Sequence, residues 1–288
     1  MEFESGLRTQ RNKGRLIKEF TIVNIMSSRM SPVVLQAANV IAIFITILVN
    51  MLANILPLNG VFTGQVSDSY PNLFTPSGYV FAIWGVIYVL LVTFMIYQAR
   101  TNQRSQGYLT RIGFLHLLAA IANISWLFLF HYSYGVPSLF LISLVPMTVL
   151  LLSLLAMYVR LGIGISEVSM KQKLAVHLPV SVYGGWISVA IIANIASALN
   201  VVMPGIPLPT QEVWTAAVIV VALVINLLMI LKRSDIAFAL VFVWAVVGIA
   251  VKQMASVTIM ATAVAAALVV VVAIFALLLL RRRKMAKS

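Results

Sequence analysis

Cysteine is missing altogether and charge is scarce: the chain of 288 residues has no Cys, 3 His and 7 Asp plus Glu against 20 Lys plus Arg. The first absence excludes disulfides, thiolate catalysis and cysteine-held metal or iron–sulfur centres, and it leaves the redox compartment unreadable. The second excludes an ordinary soluble domain, because 9% charged residues lies far below the roughly 25% usual for one. No carboxylate pair falls inside an apolar run, so the machinery of general acid–base chemistry is missing and an enzyme is not expected. His116, His131 and His177 have no second ligand at i+3 or i+4, so none is read as a metal or haem ligand. Lys252 stands at the end of an apolar run without an acidic counter-ion at depth, which argues against a buried Schiff base.

What the chain does have is hydrocarbon: 62% of its residues are hydrophobic and its mean hydropathy is +1.05. Uncharged apolar runs fall at about 34–58, 76–98, 112–132, 138–159, 174–199, 213–231, 236–251 and 256–280. Each approaches the ~20 residues that carry a helix across a ~30 Å hydrocarbon core. Open sheet cannot satisfy its backbone in lipid. The expectation is an all-α, polytopic membrane bundle of about eight transmembrane helices, with the lipid bilayer as its first partner.

A net charge of +13 raises the question of nucleic acid, but the connecting loops are short and offer no solvated basic face. The charges follow topology instead. Arg8, Arg11, Lys13, Arg15, Lys18 and Arg29 precede the first span, and Arg100, Arg104 and Arg111 follow the second. Arg160, Lys171 and Lys173 follow the fourth, Lys232 and Arg233 the sixth, and Arg281, Arg282, Arg283, Lys284 and Lys287 the eighth. The alternate connections hold Lys252 alone, so the positive-inside rule places both termini in the cytoplasm of an integral multi-pass protein, with a bacterial cytoplasmic membrane as the expected location. Residues 1–33 form a basic cytoplasmic segment in which Leu16–Phe20 suits a short amphipathic turn, and Met26 or Met30 is an alternative start. The first span is too long for a cleavable leader and its far end lacks a small-residue cleavage site, so it is read as a retained anchor.

Polar and aromatic residues within the runs form stripes. At 100° per residue, Asn39, Thr46, Asn50 and Asn54 share one arc of the first helix. His116, Ala119, Asn123, Trp126 and Phe130 share a face of the third, and Tyr183, Trp186, Ala190, Asn194 and Ser197 a face of the fifth. On the second, Phe81, Trp84 and Tyr88 point together. Tryptophan in bilayer proteins gathers at the headgroup boundaries, as Trp214 does, yet Trp84, Trp126, Trp186 and Trp244 lie inside spans. Such placement, with amides that hydrocarbon makes costly, suggests a lined cavity in the outer half of the bilayer. The connection 59–75, with Gly60, Gly64, Asp68 and Pro71 and no basic residue, suits a cap over its mouth. Ser181 with Gly185 and Gly184 with Ser188 give small-xxx-small spacing for close helix packing. Trp244 and Gly248 are read as packing residues of the seventh span.

These residues carry a resemblance to the tryptophan-rich sensory protein or translocator protein (TspO/MBR) family. Pro76, Tyr79, Phe81, Trp84 and Tyr88 resemble its P-P-x-W-x-F…W-x-x-L-Y element. Asn123, Trp126 and Phe130 resemble N-x-x-W-x-x-x-F, and Tyr183, Trp186, Ser188, Ala190 and Asn194 resemble Y-x-x-W-x-S-x-A-x-x-x-N. Ser77 stands for the second proline, Tyr79 for a tryptophan, Phe81 and Trp84 are one residue closer than usual, and Pro179 lies four residues before Tyr183. The resemblance covers residues 34–200 and implies a five-helix core there. Residues 201–280 then supply three further spans of a divergent, extended branch, and 281–288 a basic tail.

The resemblance implies binding of a flat hydrophobic ligand, a porphyrin, haem or a sterol, for sensing, signalling or transfer, with no resident cofactor required; it also favours a homodimer. The ligand-binding set it implies is Asn50, Asn54, Tyr79, Phe81, Trp84, Tyr88, Asn123, Trp126, Phe130, Tyr183, Trp186 and Asn194. Trp84, Trp126 and Trp186 would form walls, Tyr79, Phe81 and Tyr183 the sides, and the four Asn the hydrogen bonds. Aromatic faces, a few amides and apolar surroundings suit the same ligand class on physical grounds. The alternatives are helix–helix packing by the same residues and a permease for a small hydrophobic substrate without an intramembrane proton relay.

Overall fold

A computed structural model describes residues 31–285; the expectations for the first 30 residues, including the Leu16–Phe20 turn and the basic segment before Ser31, lie outside the described residues. The chain is helical wherever a long apolar run was read. Helix α1 spans Pro32–Ile55, α2 is the short Thr63–Ser69, α3 is Ile83–Gln98 and α4 is Gly107–Ile112. Helix α5 runs Leu115–Tyr132, α6 Pro137–Leu161 and α7 Leu178–Val202, the last continued backwards by a π turn at Lys173–His177. Helix α8 is Leu208–Arg233, α9 Ile236–Lys252 and α10 Val257–Met285. Among the described residues 7 helices are long and apolar enough to cross a membrane, and α9 is a shorter apolar helix. At 17 residues it reaches ~25 Å, the lower end of the spanning range. The protein is an all-α polytopic membrane bundle.

Local chemistry explains the boundaries. Proline occupies the first turn of α1, α6 and α8, where its missing N–H is no loss, and Pro179 of α7 follows just after the π turn. Helix α6 ends at Gly162 in the left-handed conformation (φ 64°), and Asp235 caps α9 by accepting from the Phe238 N–H at 3.1 Å. Two readings need adjustment. The third span does not begin at residue 112, because Gly113 (φ 52°) ends α4 and α5 starts at Leu115. The second span opens as a 3-10 turn over Gly78–Ala82 before α3 takes over.

Helix α7 is the hub. Its stretch Pro179–Ile187 is buried residue after residue, as a helix walled by protein on every side must be. It packs on α6, α9 and α3. One apolar cluster, including Leu150, Leu154, Tyr183 and Trp186, fills the space among the first five spans. A second joins α8, α9 and α10 through Phe242, Ile249, Ile259 and Val270, and α7 enters it with Val189. The three C-terminal spans thus build onto the far side of α7. Gly185 permits that approach: a Cβ there would meet Val241 Cβ at 3.3 Å and the Phe238 carbonyl at 3.4 Å.

The first and second spans are clasped at one end and parted at the other. At the basic end, Gln36 Nε2 donates to the carbonyls of Gln98 (2.5 Å) and Arg100 (3.0 Å), and Gln98 Nε2 donates back to the Gln36 carbonyl at 3.1 Å. At the other end the 56–77 connection, with α2 inside it, folds over the bundle as a lid. Asn72 ties the lid to α7: its Oδ1 accepts from the N–H groups of Phe74 and Thr75, both at 2.8 Å, while Nδ2 donates to Ser197 Oγ at 2.7 Å. Ser197 Oγ donates in turn to the Tyr70 carbonyl at 2.7 Å. Tyr70 OH donates to the Ser133 carbonyl beyond α5. His131 faces Thr63 Oγ1 at 3.1 Å, and Asn59 Nδ2 donates to the His131 carbonyl at 3.3 Å.

Helix α9 clamps the lid where it becomes the second span. Trp244 Nε1 donates to the Val80 carbonyl at 2.9 Å, and Ser77 N–H donates to the Gly248 carbonyl at 3.1 Å. A Cβ on Gly248 would lie 2.1 Å from Val80 Cγ2 and 3.1 Å from Pro76 Cβ. Gly248→Ala is therefore expected to destabilise the solubilised protein by about 1–3 kcal/mol, the usual range for overpacking. Gly184→Ala, whose new methyl finds nothing nearer than Leu154 Cβ at 4.0 Å, should leave stability unchanged; unfolding by titration with SDS compares the two.

Candidate functional site

The site begins with the 3-10 turn. At 3.0 residues per turn, Gly78–Ala82 sets Phe81 above Trp84, and α3 continues the row to Tyr88 with its 3.6-residue turn. The closer spacing of Phe81 and Trp84 is thereby absorbed by a tighter helix. Trp84 stacks on Tyr88 (centroids 5.8 Å apart, planes at 27°) and meets Trp186 edge-on at 6.4 Å. Phe81 meets Trp186 edge-on at 5.9 Å, and Tyr183 meets Trp84 at 5.8 Å. From α5, Trp126 stacks on Phe130 at 5.1 Å. These edge-to-face and offset contacts are those that aromatic quadrupoles prefer.

The rings surround a hollow of about 470 Å³ bounded by Asn50, Asn54, Phe81, Trp84, Tyr88 and Trp126. A narrower recess of about 50 Å³ adjoins it through Thr63, Phe81, Trp84 and Trp126 and carries Phe130, Trp186 and Asn194 on its wall. Thr63 and Ser67 of α2, with Tyr70 and Thr75, roof the recess. On the flank between α1 and α3 the hollow is edged by Met51 and Ile55, both exposed, so this side is open. Neither chamber has a charged side chain in its lining.

Nine of the twelve residues read from the sequence therefore touch one pair of connected chambers. Asn123 stands one layer behind: it is wholly buried, and its Oδ1 accepts from Asn50 Nδ2 at 2.7 Å. Tyr183 is likewise buried behind Trp84. Tyr79 does not join them, and its reading as a side wall is corrected. It lies two residues before Phe81 in the 3-10 turn and so points the other way, 46% exposed, with its ring edge-on to Trp244 at 5.5 Å.

The amides mostly serve their own helices. Asn50 Nδ2 also donates to the Thr46 carbonyl at 2.8 Å, Asn54 Nδ2 to the Asn50 carbonyl at 2.8 Å, and Asn194 Nδ2 to the Ala190 carbonyl at 2.9 Å. Three buried polar atoms on the chamber walls have no hydrogen-bond partner: Trp126 Nε1, Trp186 Nε1 and Asn194 Oδ1. Two donors and an acceptor are thus left unpaired within the walls of the chambers.

Away from the chambers, His116 stacks on Phe94 at 4.9 Å. Lys252, read as lacking a counter-ion at depth, pairs at the bundle's lid end with Asp68 of α2 at 3.7 Å. Asp235 went unread in the sequence. Buried between α8 and α9, it accepts from Tyr158 OH at 2.8 Å and Ser181 Oγ at 2.6 Å, joining α6 and α7 to the C-terminal spans. Its signal is an Asp immediately before an apolar run, the mark of a helix cap. The lid anchor Asn72 and the Gln36–Gln98 clasp were also missed, since their partners lie on other spans.

Across the first and third spans, the Asn50–Asn123 pair is expected to couple the helices by about 0.6–2 kcal/mol, as buried interhelical hydrogen bonds do. A double-mutant cycle with Asn50→Leu and Asn123→Leu, read by SDS unfolding, checks it.

Curated proteins and solved structures give no match. A family model described as TSPO-like protein matches residues 36–276, which takes in the three C-terminal spans as well as the first five. With its aromatic chambers beneath a lid and a match running from α1 into α10, the chain belongs to the TSPO-like protein family.

Proposed function

We propose that this protein binds a flat hydrophobic ligand of the porphyrin, haem or sterol class in the connected chambers, for sensing, signalling or transfer rather than catalysis. One observation carries the reading: Phe81, Trp84, Trp126, Phe130 and Trp186, brought from three spans, converge on connected chambers with no charged side chain in their lining. The volume falls within the ~300–1,000 Å³ of ordinary small-molecule sites. Aromatic faces from α3, α5 and α7 would stack on a conjugated ring system. An uncharged lining suits a neutral core and offers no relay for a coupled proton.

The open flank between Met51 and Ile55 on α1 and the α3 face favours access from the bilayer, while the lid shields the chambers from water. The charge distribution supports a lid on the outer side and cytoplasmic termini.

Titrating the detergent-solubilised protein with protoporphyrin, haem and cholesterol, with tryptophan fluorescence as readout, tests the proposal. Trp126→Phe and Trp186→Phe should each weaken binding by about tenfold, the effect of ~1.4 kcal/mol. Equal affinity in normally folded variants overturns the assignment. In proteoliposomes the same ligand should bind saturably without net flux. Orientation is checked separately: because the chain has no native Cys, Ser67→Cys provides a single label site, and an impermeant maleimide should reach it from outside intact cells.

A further inference from the structure

A second pair of cavities lies on the far side of α7, outside the aromatic chambers. The larger, about 690 Å³, sits at the lid end and has a polar wall that includes Ser69, Asn200, Gln211, Lys252 and Gln253. The smaller, about 270 Å³, is an apolar slot between α7 and α8, bounded by Ile192, Ile195, Leu199, Trp214 and Val218. The two are continuous, since Asn72, Leu73, Asn200 and Gln211 line both. From Leu199 to Ile192 the slot follows α7 for ~10 Å at ~1.5 Å per residue, running from the lid end towards the middle of the bundle. Ile195, Leu199 and Trp214 are exposed along it, so the slot is open to acyl chains.

Lys252 is the second observation. It is the only Lys or Arg at the lid end among the described residues, against the trend that keeps cations at the other face. Its Nζ lies 3.7 Å from Asp68 Oδ1, and the Asp68 side chain is 75% exposed. A pair so open to solvent holds weakly, so the ammonium can exchange that carboxylate for another anion. Trp214, amphipathic and suited to the headgroup boundary, borders the slot beside it. Charge above and hydrocarbon below, at this depth, match one molecule of the membrane itself.

We propose that this cleft binds an anionic phospholipid of the lid-side leaflet, its phosphate on Lys252 in place of Asp68 and an acyl chain in the slot between α7 and α8. The site uses Gln211, Trp214 and Val218 of α8 and Lys252 of α9, so it depends on those two C-terminal spans, and it shares only Tyr70 and Ser197 with the lining of the aromatic recess. It gives those spans a binding role of their own.

The test uses the full-length protein in phosphatidylcholine nanodiscs doped with phosphatidylglycerol or phosphatidylcholine carrying brominated chains. The Trp214 signal is the difference between the parent and Trp214→Phe. Brominated phosphatidylglycerol should quench it at a several-fold lower mole fraction than brominated phosphatidylcholine, Lys252→Gln should erase that difference, and Asp68→Asn should enlarge it. Soluble glycerol phosphate should not reverse the quenching; reversal would mean that the site takes a free phosphate and would overturn the lipid assignment. Equal quenching by the two lipids also overturns it. So does an unchanged preference in Lys252→Gln or, should that protein fail to fold, in the exposed-site variant Asp68→Asn.

Discussion

The burial of the first half of α7 on all sides is the constraint on which the rest depends. A helix in a bilayer ordinarily leaves one face to lipid, yet Pro179–Ile187 is buried throughout. In hydrocarbon there is little hydrophobic drive to bring helices together, so close approach and hydrogen bonds must do it. Here the close approach comes from Gly185 against α9 and the hydrogen bonds from Ser181 to Asp235 on one side and Ser197 to Asn72 and Tyr70 on the other. Because α7 is shared, Trp186 can face the first five spans while Val189 belongs to the core of the last three.

A hollow inside such a bundle needs a reason not to collapse. The Gln36–Gln98 clasp closes α1 on α3 at the basic end, and the lid, pinned to α5 through His131 and Ser133 and to α7 through Asn72, holds the opposite end apart. Between them Trp84 meets Trp186 edge-on, and Trp126 stacks on Phe130. The Asn50–Asn123 bond then sets the distance between α1 and α5 below the hollow.

Much of this was legible in the residues. Apolar runs and the alternation of basic connections marked the spans, because the bilayer fixes their length. The stripes on the first, third and fifth spans held over most of their length: Asn39, Asn50, His116, Asn123, Trp126, Tyr183 and Trp186 are all buried, whereas Asn194 is half-buried and Asn54, at the lid end, is exposed. Angle along a helix suffices for that. Tyr79 failed because it stands two residues before Phe81, which puts it on a different face at 3.0 or at 3.6 residues per turn; the family resemblance, and not the stripe, had placed it in the site. Asn72, Gln36 and Asp235 stayed hidden for a different reason: each is a short polar side chain whose worth depends on a partner at least 50 residues away. The lid was seen as a loop of the right composition; its helix α2, capped by Gln65 on the Phe62 N–H at 2.8 Å, is too short to show a period.

Trp84, Trp126 and Trp186 line the connected chambers, while Trp214 and Trp244 do not. The five tryptophans provide a direct reading through the indole N–H resonances of protein labelled with nitrogen-15 tryptophan. On titration with protoporphyrin the signals of Trp84, Trp126 and Trp186 should shift together, with those of Trp214 and Trp244 unmoved. Shifts confined to Trp214 and Trp244, or spread evenly over all five, would contradict the account.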